Sequence, residues 1–427
     1  MKRISWIAAL LLLVPVWSVN AQTDGTYGGF SPYSVFGVGN LHQAGTAWNR
    51  SMGGVGIAAR NNRFVNIMNP ASVTARDSLS FMSDFGLNGR ISVFQDGAKK
   101  GANTVFNIDD FVISFPMWRH TAFMAGIKPI SDVGYKISTS EITLESGKQT
   151  FISSGNGGIY QVFAAAAVTL WDRLSLGAQF NYNFGNINKT ASFIYEDTSN
   201  RSFSSGDSLQ VNNFSAKFGL QYAQPLGRGS SLVLGATYQL STRINGYTIH
   251  YRELGSYYRE RESATLNESG LKLGDELGVG LAYKYADKLM VEFDYIRSNW
   301  SGTGLDLVPG FSNEGDVAFA PSVGQRFGLG FEYTPNRSDI RYFFRRCTYR
   351  AGTYFEQSYY TVGGSHVNAA GVTLGITLPV FRWYNGLTLG VDFGRRGLAA
   401  NQVKETYFGF NIGFNIFDIW FQKRPYE

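Results

Sequence analysis

The chain has 427 residues, of which 16% are charged and 15% aromatic, with 50 glycines and a formal net charge of +6 at pH 7. The positive excess is spread along the chain without a basic run, which argues against a nucleic-acid partner. A single cysteine, Cys347, excludes an intrachain disulfide, and no apolar stretch after residue 21 is long enough for a transmembrane helix.

Residues 1–21 read as a secretory signal: Lys2 and Arg3, the apolar run Ile7 to Val16, then Val19-Asn20-Ala21. The mature chain is expected to begin at Gln22, which is not a lipoprotein cysteine. Residues 22–77 do not alternate. They carry Tyr27-Gly28-Gly29-Phe30, Phe36-Gly37-Val38-Gly39, Met52-Gly53-Gly54-Val55-Gly56-Ile57 and Asn69-Pro70-Ala71. Glycine at this density suits close backbone approach and φ > 0, so the segment is expected to fold as an irregular plug.

From residue 78 to 427 a two-residue alternation keeps returning, as in Leu79 to Gly89, Phe111 to Met117, Thr121 to Ile130 and Tyr160 to Leu170. In Leu174 to Phe184 the apolar set Leu174, Leu176, Ala178, Phe180, Tyr182, Phe184 opposes Ser175, Gly177, Gln179, Asn181, Asn183. Phe214 to Tyr222, Leu232 to Leu240, Leu277 to Tyr285, Leu289 to Tyr295 and Val323 to Tyr333 follow. After them come Tyr349 to Phe355, Val372 to Leu378, Leu387 to Phe393 and Thr406 to Phe417. The last sets Phe408, Phe410, Ile412, Phe414 and Ile416 against Gly409, Asn411, Gly413 and Asn415, an apolar face opposed to a glycine-and-amide one.

These segments make fourteen strands, an even number, as a single-chain bacterial barrel requires. Connections after even-numbered strands are mostly short, such as Trp118-Arg119-His120, Asp172, Ala286-Asp287-Lys288 and Phe381 to Asn385. Those after odd-numbered strands are long and polar: Arg90 to Asp109, Ser131 to Gly158, Gly185 to Gln210, Arg243 to Lys272 and Arg297 to Pro321. A soluble sandwich has no reason to sort its loops by parity. The expected fold is all-β, a transmembrane antiparallel β-barrel in the outer membrane, with both termini periplasmic and an N-terminal hatch in the lumen.

Lys217, Lys284, Glu292, Asp294, Arg326, Glu332 and Asp392 fall on the inward register. Two readings stand: a paired network that holds the plug, or a selectivity lining for a polar solute. His42, His120, His250 and His366 share neither a strand nor a metal-ligand spacing, so no catalytic, cofactor or metal site is expected. Gly53-Gly54-Val55-Gly56 has no preceding strand and no Lys-Ser/Thr pair, unlike a phosphate loop. The aromatic segments Tyr247 to Tyr258 and Tyr354 to Tyr360 are read either as outer capture surfaces or as interfacial anchors.

Met52-Gly53-Gly54-Val55-Gly56-Ile57, Asn69-Pro70-Ala71 before the first strand, and a barrel of about fourteen strands together resemble the FadL-type outer-membrane protein transport family. The ending Phe410 to Arg424, with Trp420-Phe421 and Lys423-Arg424, looks like Bacteroidetes members. The resemblance implies passive uptake of a hydrophobic or amphipathic, fatty-acid-like small molecule by a monomer in contact with outer-membrane lipid. It also implies a hatch role for Asn69, Pro70 and Ala71, and a third-strand kink, here at Gly126, Pro129 and Gly134, that opens a sideways route. Pro129 is equally read as the end of the strand at the outer rim. Alternatives are a barrel serving type IX protein secretion, or a general porin.

Overall fold

A computed structural model describes residues 28–420 except 44, 78, 139–141, 145–146, 196–201, 255–257, 266–269, 309–318, 381–385 and 400–401. The signal reading, the start at Gln22 and the Lys423-Arg424 ending lie outside the described residues.

The wall is a closed antiparallel barrel of fourteen strands. They are β1 (Ser80–Asp96), β2 (Lys99–Trp118), β3 (Thr121–Ser138), β4 (Gly147–Leu170), β5 (Leu174–Tyr195), β6 (Phe203–Gly227) and β7 (Ser230–Gln239). The circuit continues through β8 (Asp275–Tyr285), β9 (Leu289–Asn299), β10 (Val323–Tyr333), β11 (Thr348–Val362), β12 (Ser365–Pro379), β13 (Gly386–Arg396) and β14 (Lys404–Ile419). β14 returns to β1 in register from Ser80↔Ile419 to Gln95↔Lys404, which closes the cylinder and leaves no long edge in lipid.

The alternation decides which way the wall faces. In β5, Phe180 is 58% exposed while its neighbour Asn181 is fully buried, and in β14 Ile416 is 53% exposed beside a buried Asn415. Apolar side chains cover the outside and amides line the inside, the sense required of a membrane barrel. Tight turns gather at one end. Trp171 and Asp172 both take positive φ between β4 and β5, which matches the right-handed twist of the flanking strands.

Several segments expected as long loops are wall. β4, β5 and β6 run to 24, 22 and 25 residues, about twice the length needed to cross lipid. Arg243 to Lys272 contains a hairpin, Asn245–Leu254 with Tyr258–Thr265, whose first arm pairs with β6. Backbone pairing continues above the membrane, but outward residues there face water and lose their apolar period.

Residues 28–77 contribute no wall strand. They form short 3-10 turns at Pro32–Val35 and Pro70–Ala75, a single helical turn at Ala47–Arg50 and a two-residue strand at Asn40–Leu41. The apolar core lies inside the cylinder, between this segment and the inner wall. Toward the long-loop end Tyr33, Val35 and Val38 pack with Trp300, Phe319, Tyr359 and Tyr360. That half of the bore is filled by buried apolar side chains, although the wall strands turn glycines and amides inward. Tyr354, Tyr359 and Tyr360 are buried on β11, so that stretch is no outer capture surface.

Candidate functional site

The N-terminal segment is fixed to the wall through its backbone. Gly53 and Gly54 have φ of +72° and +68°, a bend that lets the chain lie flat against β10 and β11. Gly53 N donates to Thr373 Oγ1 at 2.7 Å, and the Arg326 guanidinium donates to the Gly53 and Gly54 carbonyls, both at 3.0 Å. One Asp294 oxygen accepts from Gly56 N and Ile57 N at 2.7 and 2.9 Å; one Glu292 oxygen accepts from Ala58 N and Ala59 N at 2.8 and 2.9 Å. Buried peptide groups must find partners. Here two adjacent wall carboxylates supply them for four consecutive residues. Glu332 accepts from Trp48 Nε1 and Arg350 Nε, both at 2.8 Å.

Asn69 caps the turn that follows it: its Oδ1 accepts from Ala71 N at 3.0 Å. Its Nδ2 donates to the Ile57 carbonyl at 2.8 Å and to that of Leu220 on β6 at 3.1 Å. Asn69, Pro70 and Ala71 lie against Gly177 and Gly219, where a Cβ would collide with them. Of the other inward charges, Lys217 pairs with Glu276 at 3.1 Å, and Asp392 accepts from Tyr354 at 3.0 Å. Lys284 pairs with Asp287 of the adjacent turn at 3.1 Å, away from residues 53–59.

Among the described residues, the ladder between β2 and β3 stops short. β2 stays paired with β1 out to Asp96↔Lys99, but its pairing with β3 ends at Phe111↔Ile127. β3 continues to Ser138 along β4, with a register shift between Pro129 and Ser131. Pro129 has no N–H to give, and the bulge turns the strand. Among the described residues, β3 beyond Ile127 has no wall neighbour on its β2 side. Gly126 faces Val112 just before the split, and Gly134 lies beyond it.

The N-terminal segment fills the place of the missing ladder. Asn40 and Leu41 pair with Asp132 and Ser131, His42 N donates to Ile130 O at 2.7 Å, and Ser31 N donates to Gly134 O at 2.8 Å. His42 then spans the split: Nε2 lies 2.7 Å from Asp109 on β2 and Nδ1 3.0 Å from Asp132 on β3. Arg50 also reaches Asp109, at 2.7 Å. Asp109 is available because β1 and β2 slip register there: Gly86 pairs with Asp110 and Leu87 with Ile108, so Asp109 is an extra residue. As a result two consecutive carboxylates are buried, at 3% and 2% exposure. Burial and Arg50 push the His42 imidazole down. The hydrogen bonds to Asp109 and Asp132 outweigh them and hold its pKa above the ordinary value.

The sequence reading named His42 only as a histidine outside any catalytic or metal pattern, and it did not single out Arg50, Asp109 or Asp132. The signal available was the Asp109-Asp110 doublet, which breaks the in-out alternation of β2. Two cavities of about 100 and 110 Å³ flank this bridge; Arg90, Glu356 and Arg396 border the first, and Lys128, Lys217 and Glu276 the second. Polar and apolar groups share the lining of each. His250 bonds Asp207 at 2.8 Å and His366 lies 3.1 Å from the Ser358 carbonyl, each far from the bridge in the chain. Among the described residues no group of three or more His, Cys, Asp or Glu side chains is placed to hold a metal ion.

An apolar exterior, a closed wall and a bore occupied by residues 28–77 define an outer-membrane β-barrel with an internal plug. The chain belongs to the BamG family, whose model matches residues 1–427. No curated protein matches it. Among solved structures it is similar to the Pseudomonas putida toluene transporter TodX, at 16% identity and a TM-score of 0.60, covering 90% of this chain and 100% of that one. It is also similar to the Ralstonia pickettii toluene transporter TbuX, at 15% identity and a TM-score of 0.55, covering 88% and 98% of the two chains. A Pseudomonas aeruginosa FadL homologue aligns at 12% identity and a TM-score of 0.55, over 89% and 99%. At these identities the likeness is one of fold.

Proposed function

We propose that the barrel carries a hydrophobic or amphipathic small molecule, fatty-acid-like in class, across the outer membrane. Residues 28–77 act as the hatch, and the molecule leaves sideways through the split between β2 and β3. The observation that carries this reading is the end of the β2–β3 ladder at Ile127, where backbone from inside the bore takes over. A wall with no transport role gains nothing from giving up ladder hydrogen bonds in lipid. The cavities beside His42, at about 100 and 110 Å³, have no room for a long acyl chain, so passage requires Asn40–His42 to leave β3.

A cysteine pair at Leu41 and Ser131, which face each other across the pairing, tests this. Cross-strand partners lie close enough to be bridged. Oxidised protein should lose uptake of a radiolabelled long-chain fatty acid into whole cells and regain it on reduction. Unchanged uptake in the oxidised form sinks the proposal.

A further inference from the structure

At the end that carries the short turns, a cleft of about 940 Å³ lies between the N-terminal segment and the β2–β3 and β4–β5 turns. Arg60 and Arg76 come to it from the segment, Arg119 and His120 from the β2–β3 turn, and Asp172 is the one carboxylate on its rim. Arg60 bonds hydroxyls and an amide: Ser175 at 2.7 Å, Gln221 at 3.1 Å and Thr74 at 3.2 Å. Arg76 has a buried Nε without a hydrogen-bond partner. The rest of the lining is threonines and an apolar stretch with Leu79, Phe115, Met117 and Trp118. Phe115 belongs to the outward aromatic face, 5.3 Å from Phe123. Trp118 and Trp171 are 73% and 82% exposed at the two turns, the position of indoles between acyl chains and headgroups.

The cleft therefore joins a cationic pocket to the lipid-facing surface around the tip of one hairpin. We propose that it binds an anionic phospholipid of the adjoining leaflet, with the phosphate against Arg76 and Arg119 and an acyl chain along Leu79, Phe115 and Met117. A free phosphate would leave the apolar wall unused, and a zwitterionic lipid would bring the positive charge of its headgroup up to a cleft already lined by arginines. Because Arg60 and Arg76 belong to the N-terminal segment, the bound lipid ties that segment to the membrane. This assignment does not rest on the uptake reading.

The full chain is reconstituted in phosphatidylcholine vesicles containing a minority of phosphatidylglycerol, with bromine on the acyl chains of one lipid or the other. Fluorescence quenching is read as the difference from Trp118→Phe. Brominated phosphatidylglycerol should quench the Trp118 contribution more strongly than its share of the bilayer predicts. Arg119→Ser, in an exposed turn that cannot endanger folding, should cut the preference about fivefold, the worth of one cation at an anionic surface; Arg76→Gln should do the same from within the cleft. Equal quenching by both lipids, a preference retained in both variants, or a preference abolished by inorganic phosphate alone would overturn the assignment.

Discussion

His42 lies 2.7 Å from Asp109 and, through its other ring nitrogen, 3.0 Å from Asp132, so one imidazole joins two strands that share no backbone hydrogen bond at that level. Both nitrogens must carry protons to donate to two carboxylates. The groups facing it are Asp109 on β2, Asp132 on β3, Asn88 on β1 and Arg50 of its own segment. With its pKa raised in the folded state, the bridge contributes in full below the ordinary histidine value of about 6.5 and is lost as pH rises through the higher folded value. Thiol labelling of Leu41→Cys, normalised to an exposed control cysteine, should therefore accelerate with pH. The rise should be about tenfold, as a charge-assisted bond of ~1.5–3 kcal/mol implies. In His42→Ala labelling should be fast and flat with pH.

The carboxylates of β9 hold the segment by its backbone. Glu292→Leu leaves the N–H groups of Ala58 and Ala59 without their acceptor. Each buried orphan costs about 1–3 kcal/mol, so the unfolding temperature read by heat-modified gel migration should fall by several degrees. Glu292→Gln keeps an acceptor oxygen and should lose less.

Gly219 should tolerate no side chain, because a Cβ there meets Asn69 Oδ1 and the Pro70 ring. In Gly219→Val the segment should leave β6, making the chain cleavable by trypsin at Arg76 while circular dichroism reports an intact wall. Gly101→Val opens onto free space and should resist cleavage as the native chain does. Cleavage at equal rates in both variants would contradict the packing.

Phe180 is 58% exposed on the outer face of β5. If that face meets hydrocarbon, Phe180→Arg should destabilise folding into vesicles by about 2–4 kcal/mol, and Phe180→Leu by far less. In a detergent-free soluble fold the order would reverse, since the arginine would be solvated.

The strands were legible in the sequence because lipid imposes a strict outward period, and Phe408 to Ile416 shows it without interruption. The period vanishes where β4 to β6 rise above the membrane, since water makes no such demand of either face. Pro129, where the β3–β4 register shifts, was visible in the sequence because its missing N–H is a property of the residue itself, and it was read equally as a kink or as a strand end. The bridge was not visible. Glu292 and Asp294 accept from peptide N–H groups, which leave no signature in side-chain identity, and Asp109 reaches His42 only through a register slip between β1 and β2. Tyr354 to Tyr360 misled for a related reason: above the membrane, aromatic spacing no longer tells inside from outside.

The partners of the N-terminal segment also constrain the order of assembly. Gly56 waits for Asp294, Gly53 for Thr373 and Ser31 for Glu405, so residues made first depend on strands made last. Contacts so distant along the chain are slow to form. The segment must stay unsettled through most of insertion, and the cylinder has to shut around a guest that cannot take its seat until the final strands arrive.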